Sequence, residues 1–196
     1  GRRDDLPTGG VGSGGLVTGD FDANGALDLA ATNEDNSLSV FLNDGTGVFG
    51  PGRLYRIGTL SQNVSMGDID HDGRVDLAVS NYSESTVDLL FNLGDGRFSQ
   101  GRNVRVGYHP RWVEVVDVDA DGLPDLVTAD YHDSYSGSVS VLRNLGQRGF
   151  AAPVTYAAGA GPYMLRAAQL NKDQMPDLIV NNYDGQTVSI DRKSVV

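Results

Sequence analysis

The chain has 196 residues, 39% of them hydrophobic, 26 glycines and a formal net charge of −11. This suits one soluble domain spanning 1–196 that turns often, and it disfavours long helices. No run of about 18 apolar residues is present, so no membrane insertion is expected, and no basic stripe is present, so no nucleic-acid partner is expected. Cysteine is absent, which excludes disulfides and thiolate metal sites. The opening 1-GRRDDLPTGG-10 has no apolar h-region, so no signal peptide is expected there.

The first informative segment is 20-DFDANGALDLAA-31. It recurs as 68-DIDHDGRVDLAV-79, 117-DVDADGLPDLVT-128 and 169-QLNKDQMPDLIV-180, at spacings of 48, 49 and 52 residues. A fixed period of this length is the signature of a repeat architecture. Each loop runs into a short apolar, β-branched segment, as in Asp76–Ser80, which predicts a strand. A second strand is predicted at 37-SLSVFL-42, 86-TVDLLF-91, 138-SVSVLR-143 and 187-TVSI-190. In three repeats it ends in a turn and an aromatic: 43-NDGTGVF-49, 92-NLGDGRF-98 and 144-NLGQRGF-150. Asn/Asp-Gly steps between apolar segments mark hairpins. A third strand follows near Arg53–Ile57, Asn103–Val106 and Val154–Ala157, and a fourth leads into the next loop at Val64–Gly67, Val113–Val116 and Met164–Ala168. Four short antiparallel strands repeated about every 50 residues predict an all-β fold, a β-propeller whose sheets bury their faces only by stacking.

Thirteen of the 26 acidic residues fall at alternating positions of the four loops. Hard cations such as Ca²⁺ take about 6 to 8 oxygens, and short acids on alternate residues can converge on one point. In the second loop Asp68, Asp70, Asp72 and Asp76 occupy positions 1, 3, 5 and 9, and the carbonyl of Arg74 stands at position 7. The third loop repeats this with Asp117, Asp119, Asp121, Asp125 and the carbonyl of Leu123. The first uses Asp20, Asp22, Asn24, Asp28 and the carbonyl of Ala26. Gly73 supplies the sharp turn. The fourth loop has Gln169, Asn171, Asp173, Gln174, Met175 and Asp177, so it loses charge and the turn glycine and is the weakest metal candidate. An EF-hand would need a bidentate Glu at position 12. Ala31, Val79 and Thr128 stand there, so that motif is rejected.

The pattern D-x-D-x-D-G-x-x-D-L in 68-DIDHDGRVDL-77 and 117-DVDADGLPDL-126, with turns such as 92-NLGDGRF-98, resembles the FG-GAP/VCBS repeats found in integrin α-subunit propellers and in many secreted bacterial proteins. The resemblance implies a propeller holding Ca²⁺ between strands 1 and 2 of each blade, and an extracellular or cell-surface setting. It says little about the ligand. Integrin-type propellers have seven blades, whereas four repeats are present here. In addition, 187-TVSIDRKSVV-196 lacks the usual turn and aromatic, and 4-DDLPTGG-10 aligns with a fourth strand. Three arrangements follow: a ring of four blades closed by the N-terminal strand, half of a dimeric larger ring, or a fragment of a seven-blade ring.

Strand direction alternates, so the 2–3 and 4–1 connections lie on the face opposite the acidic loops. That face is expected to gather Tyr82, Tyr131, His132 and Tyr183 with Tyr108, His109, Arg111, Trp112 and Tyr163. Rings that stack and polar groups that orient suit a glycan or protein ligand. The expected function is a calcium-stabilised binding or adhesion module. One alternative is a polysaccharide lyase, with His109, Arg111 and Tyr131 or His132 in catalytic parts. The other is a self-assembling, homo-oligomeric scaffold. The sequence shows no nucleophile elbow, phosphate loop or His-rich metal site, so an enzyme is the less expected outcome.

Overall fold

Alternation of apolar and small polar residues, broken every few residues by glycine turns, yields sixteen short strands in a computed structural model that describes residues 5–173 and 175–191. The first sheet runs in the order β1 (Leu16–Gly19), β2 (Asp28–Asn33), β3 (Ser37–Phe41), β4 (Arg53–Arg56). The second contains β5 (Ser61–Gly67), β6 (Asp76–Asn81) and β7 (Thr86–Asn92), with β8 (Phe98–Ser99) and β9 (Asn103–Arg105) both pairing β7. The third is β10 (Pro110–Val116), β11 (Asp125–Asp133), β12 (Ser136–Leu142), β13 (Val154–Ala158). The fourth is β14 (Pro162–Ala168), β15 (Asp177–Asn182), β16 (Thr187–Asp191). All pairings are antiparallel. The four sheets form a four-blade β-propeller arrangement, and among the described residues no helix is long and apolar enough to cross a membrane.

The sequence repeat and the blade are out of phase by one strand. The strand that leads into each acidic loop, the fourth of a sequence repeat, is the innermost strand of the following blade. Three apolar cores lie between successive blades. Phe21, Leu38 and Val40 meet Val64, Leu77 and Leu90; Ile69, Val87 and Leu89 meet Val113, Leu126 and Leu142; Val127, Val139 and Val141 meet Leu165, Leu178 and Val180. The middle strands are therefore apolar on both faces, as with β6, buried along its whole length.

The junction of the fourth sheet with the first differs. Residues 5–15 run along the first blade: the Ser39 hydroxyl donates to the Thr8 carbonyl at 2.7 Å, the Val11 N–H to Asp35 at 3.2 Å, and the Gly14 N–H to the Thr32 carbonyl at 2.9 Å. The described part of this segment does not complete the fourth sheet, which has three strands among the described residues. The described residues of the N-terminal segment thus satisfy their polar backbone on the first blade and supply no strand to the fourth sheet. Gln174 and the end of 187-TVSIDRKSVV-196 lie outside the described residues.

Candidate metal loops and binding face

Each acidic loop joins the innermost strand of a blade to the second strand. In the first three, carboxylate oxygens from positions 1, 3 and 9 lie within 4.8 Å of one another: Asp20, Asp22, Asp28; Asp68, Asp70, Asp76; Asp117, Asp119, Asp125. The position-9 aspartates are fully buried and tie the loop to the next hairpin. Asp76 accepts from the Ile69 N–H at 3.0 Å and the Asn92 N–H at 2.8 Å, and Asp125 from Val118 at 3.0 Å and Asn144 at 2.7 Å. The position-1 aspartates accept from the glycine N–H at position 6, at 2.9 Å in all three loops. That glycine has φ of 85 to 88°, which only glycine adopts without steric cost. Position 4 is also left-handed, although Ala23, His71 and Ala120 occupy it. Sequence patterning does not show this, because alanine carries no turn signal.

Position-5 side chains turn back on their own loops. Asn24, Asp72 and Asp121 each accept from the backbone N–H two residues on, at 2.7, 3.0 and 2.8 Å, and Asp72 also pairs with Arg74. Arg148, carried by the third blade over the Phe91 ring at 4.0 Å, reaches Asp70 of the second loop at 2.6 Å. Burial, reinforced by neighbouring acids, pushes the carboxyls of Asp76 and Asp125 up to about 6, against the backbone N–H donors that lower them. Asp28 shifts up for the same first reason.

These loops fit a hard cation. One oxygen each of Asp70 and Asp117 is buried without a hydrogen-bond partner, an arrangement that is costly unless a ligand satisfies the atom. The fourth loop is held differently. The Asn171 amide donates to Asp177 at 3.1 Å, Asp173 accepts from the Met175 N–H at 3.0 Å, and no cluster of three carboxylates forms among its described residues. A hydrogen bond there joins positions 3 and 9, which in the other loops present two carboxylates to one point.

The opposite face brings the predicted aromatic and cationic residues together. His109 stacks on Tyr82 with centroids 4.3 Å apart and rings 11° from parallel, and Tyr108 lies 3.7 Å from His109 on its own side. His132 meets Tyr108 edge-on at 6.4 Å and approaches the Ser138 hydroxyl at 2.9 Å. The Arg111 guanidinium lies over three rings, Tyr131 at 4.7 Å, Tyr82 at 5.0 Å and Tyr163 at 5.1 Å. Tyr183 extends the patch, 5.9 Å from Tyr163. Trp112 has two environments: it packs against the core between the third and fourth blades, and it lines a cleft of about 610 Å³ bordered by the four innermost strands. Burial, then the charges of Arg111 and His132, lower the pKa of His109. In the third repeat the segment 130-DYHDSYSGS-138 extends β11 to nine residues with an irregular register after Tyr131.

Sequence reading missed two groups. Glu114 and Arg166 line the same cleft; Glu114 accepts from Trp112 Nε1 at 3.2 Å and from Arg166 at 2.8 Å, and Arg166 lies over the Trp112 ring at 4.9 Å. The signal was present in the alternation of β10, which puts Trp112 and Glu114 on one side of the strand. The second group is Asn92 and Asn144, read as turn residues. Their amides also donate to the preceding blade, at the Phe21 carbonyl (2.9 Å) and the Ile69 carbonyl (2.8 Å).

The family described as FG-GAP-like repeat matches residues 20–79, 68–128 and 117–180, each match running from one acidic loop through the next. The chain belongs to the FG-GAP-like repeat family. Among solved structures, a mutant Tc holotoxin pore from Photorhabdus luminescens resembles this FG-GAP repeat chain with 21% identity and a TM-score of 0.52 over 84% of its length. The matched region is 8% of that much longer chain, so the likeness concerns the fold. No curated protein matches the chain.

Proposed function

We propose that this FG-GAP repeat propeller is an extracellular binding module, stabilised by Ca²⁺ in its first three loops, whose glycan or protein ligand docks on the opposite face. The observation that carries the ligand reading is the convergence of Tyr82, Tyr108, His109, Arg111, Tyr131, His132, Tyr163 and Tyr183, from three blades, into one continuous patch. Rings with an apolar face and a polar edge, beside a fixed cation, bind ligands that offer both kinds of surface.

Calcium has a supporting part in this reading. Asp20, Asp22, Asp28 and their counterparts in the second and third loops would hold it, with Asn24, Asp72, Asp121 and the carbonyls of Ala26, Arg74 and Leu123 as further oxygen donors. A cation bound only by the folded state adds about 2.7 kcal/mol per site at a hundredfold excess over Kd. Chelation by EDTA should therefore lower Tm by on the order of 10 °C or more, with recovery on adding Ca²⁺ but not Na⁺. An unchanged melting curve would remove calcium from the proposal. Binding of the calcium-loaded protein to a glycan array, lost in Tyr82→Ala and Tyr163→Ala variants that keep their Tm, tests the binding face.

A further inference from the structure

Arg111 is the most distinctive cation in the molecule. Among the described residues, Arg74, Arg97, Arg143, Arg148 and Arg166 each pair with a carboxylate, and Arg111 is one of the arginines with no ion pair. Its guanidinium is held at 4.7 to 5.1 Å over three tyrosine rings contributed by three blades, and its Nε is buried with no hydrogen-bond partner. A guanidinium is built for planar, two-point recognition of a carboxylate, and rings fix its orientation without neutralising its charge. The acids nearby do not answer it. Glu114, which shares the cleft, is bonded to Trp112 and Arg166, and Asp130 is buried beneath three hydroxyls of its own blade. In a chain of net charge −11, the mouth of the cleft is thus left with an unneutralised cation.

Resting on the binding reading above, we propose that Arg111 anchors the carboxylate of an acidic sugar at the mouth of the central cleft, with the exposed rings of Tyr108, Tyr163 and Tyr183 stacking against the apolar faces of adjoining residues. A sugar fits better than a peptide because Tyr163, one of the three rings over the cation, is exposed and the exposed rings of Tyr108 and Tyr183 adjoin the same patch, and flat aromatic faces match the C–H faces of a pyranose.

The test uses the calcium-loaded chain and the fluorescence of Trp112, its one tryptophan. Trisaccharides ending in sialic acid or in glucuronic acid, each with a single carboxylate so that they do not strip calcium, are titrated beside their methyl esters and a glutamate-terminated tripeptide. The expected result is binding of at least one acidic trisaccharide, about tenfold or more tighter than its ester. Arg111→Gln should reduce the acid to the affinity of the ester. Equal binding of acid and ester would overturn the carboxylate anchor while leaving glycan binding intact, and this comparison needs no variant to fold. Binding of the tripeptide alone would overturn the sugar. No binding of any trisaccharide by a protein whose Tm still responds to calcium would overturn both this inference and the glycan reading beneath it.

Discussion

Asp130 occupies the position at which the other three repeats carry Asn33, Asn81 and Asn182, five residues after the aspartate that opens the second strand. In those repeats the amide donates to hydroxyls of the neighbouring strand: Asn33 to Ser37 and Ser39, Asn81 to Thr86, Asn182 to Thr187 and Ser189. With a carboxylate the direction reverses, and Ser140, Thr128 and Ser138 donate to Asp130 at 2.5, 2.7 and 3.3 Å. Burial outweighs these donors and pushes the Asp130 carboxyl up to about 7 from its ordinary 3.8. The folded state therefore holds a proton that the unfolded chain has released. The associated stability is full below about pH 4 and is lost as pH rises through about 7. Asp130→Asn restores the amide of the other repeats and should abolish this slope. Melting temperatures of wild type and variant should diverge between about pH 4 and pH 7, the wild type falling more steeply than the variant, whose Asp76 and Asp125 carboxyls remain raised. Parallel curves would show that Asp130 stays ionised in the fold. The acidic pattern of the loops was legible from residue types because a metal loop needs carboxylates at alternate positions. The raised carboxyl at 130 was not, because it depends on burial under Gly107 and Ser140, which a connection and a neighbouring strand bring to it.

The turn 92-NLGDGRF-98 and its relatives were legible as hairpins from Asn-Gly chemistry, but their second task belongs to the packing of elements. The Asn92 amide donates to the Phe21 carbonyl of the first blade at 2.9 Å and to its own blade's Val75 carbonyl at 3.1 Å. Phe21 sits at position 2 of the preceding acidic loop, fully buried and edge-on to Phe98 at 5.5 Å. Asn144 repeats the arrangement toward Ile69 and Pro124 at 2.8 and 2.9 Å. A partner 71 positions away leaves no trace in local spacing, so only the assembled blades reveal it. Asn92→Ala would strand two carbonyls in the interior, which should cost about 2–4 kcal/mol in urea unfolding. Asn43 carries the same motif on the first blade, and its amide reaches the Leu27 carbonyl at 3.2 Å in an exposed setting. Asn43→Ala should cost less than about 1 kcal/mol. Equal costs would mean that the side chain acts through the turn alone and not as a clamp between blades.

For the whole molecule, the repeats predict blades that bury their faces on one another, and among the described residues the outer face of the fourth blade is left uncovered. Val139 and Val141 on β12 are 6% and 3% exposed, covered by the fourth blade, whereas their counterparts Val188 and Ile190 on β16 are 61% and 46% exposed. Met164, on the same side of that sheet, is 40% exposed. An apolar sheet face of this kind marks a contact surface, and a second copy, whose first blade exposes Leu16 and Leu54, is the partner expected in a pure sample. Charge opposes that contact: the net charge is −11. Three bound divalent cations would reduce it to about −5 and weaken self-repulsion. Association should therefore strengthen with calcium. Light scattering on the wild type should show mass rising with protein concentration in Ca²⁺, while Val188→Glu stays monomeric and keeps its Tm within about 2 °C, because an exposed position contributes within about 0.5 kcal/mol. A wild-type monomer at every concentration in Ca²⁺ would mean that this face is left to a different partner. A large loss of Tm in the variant would mean that Val188 packs within its own chain.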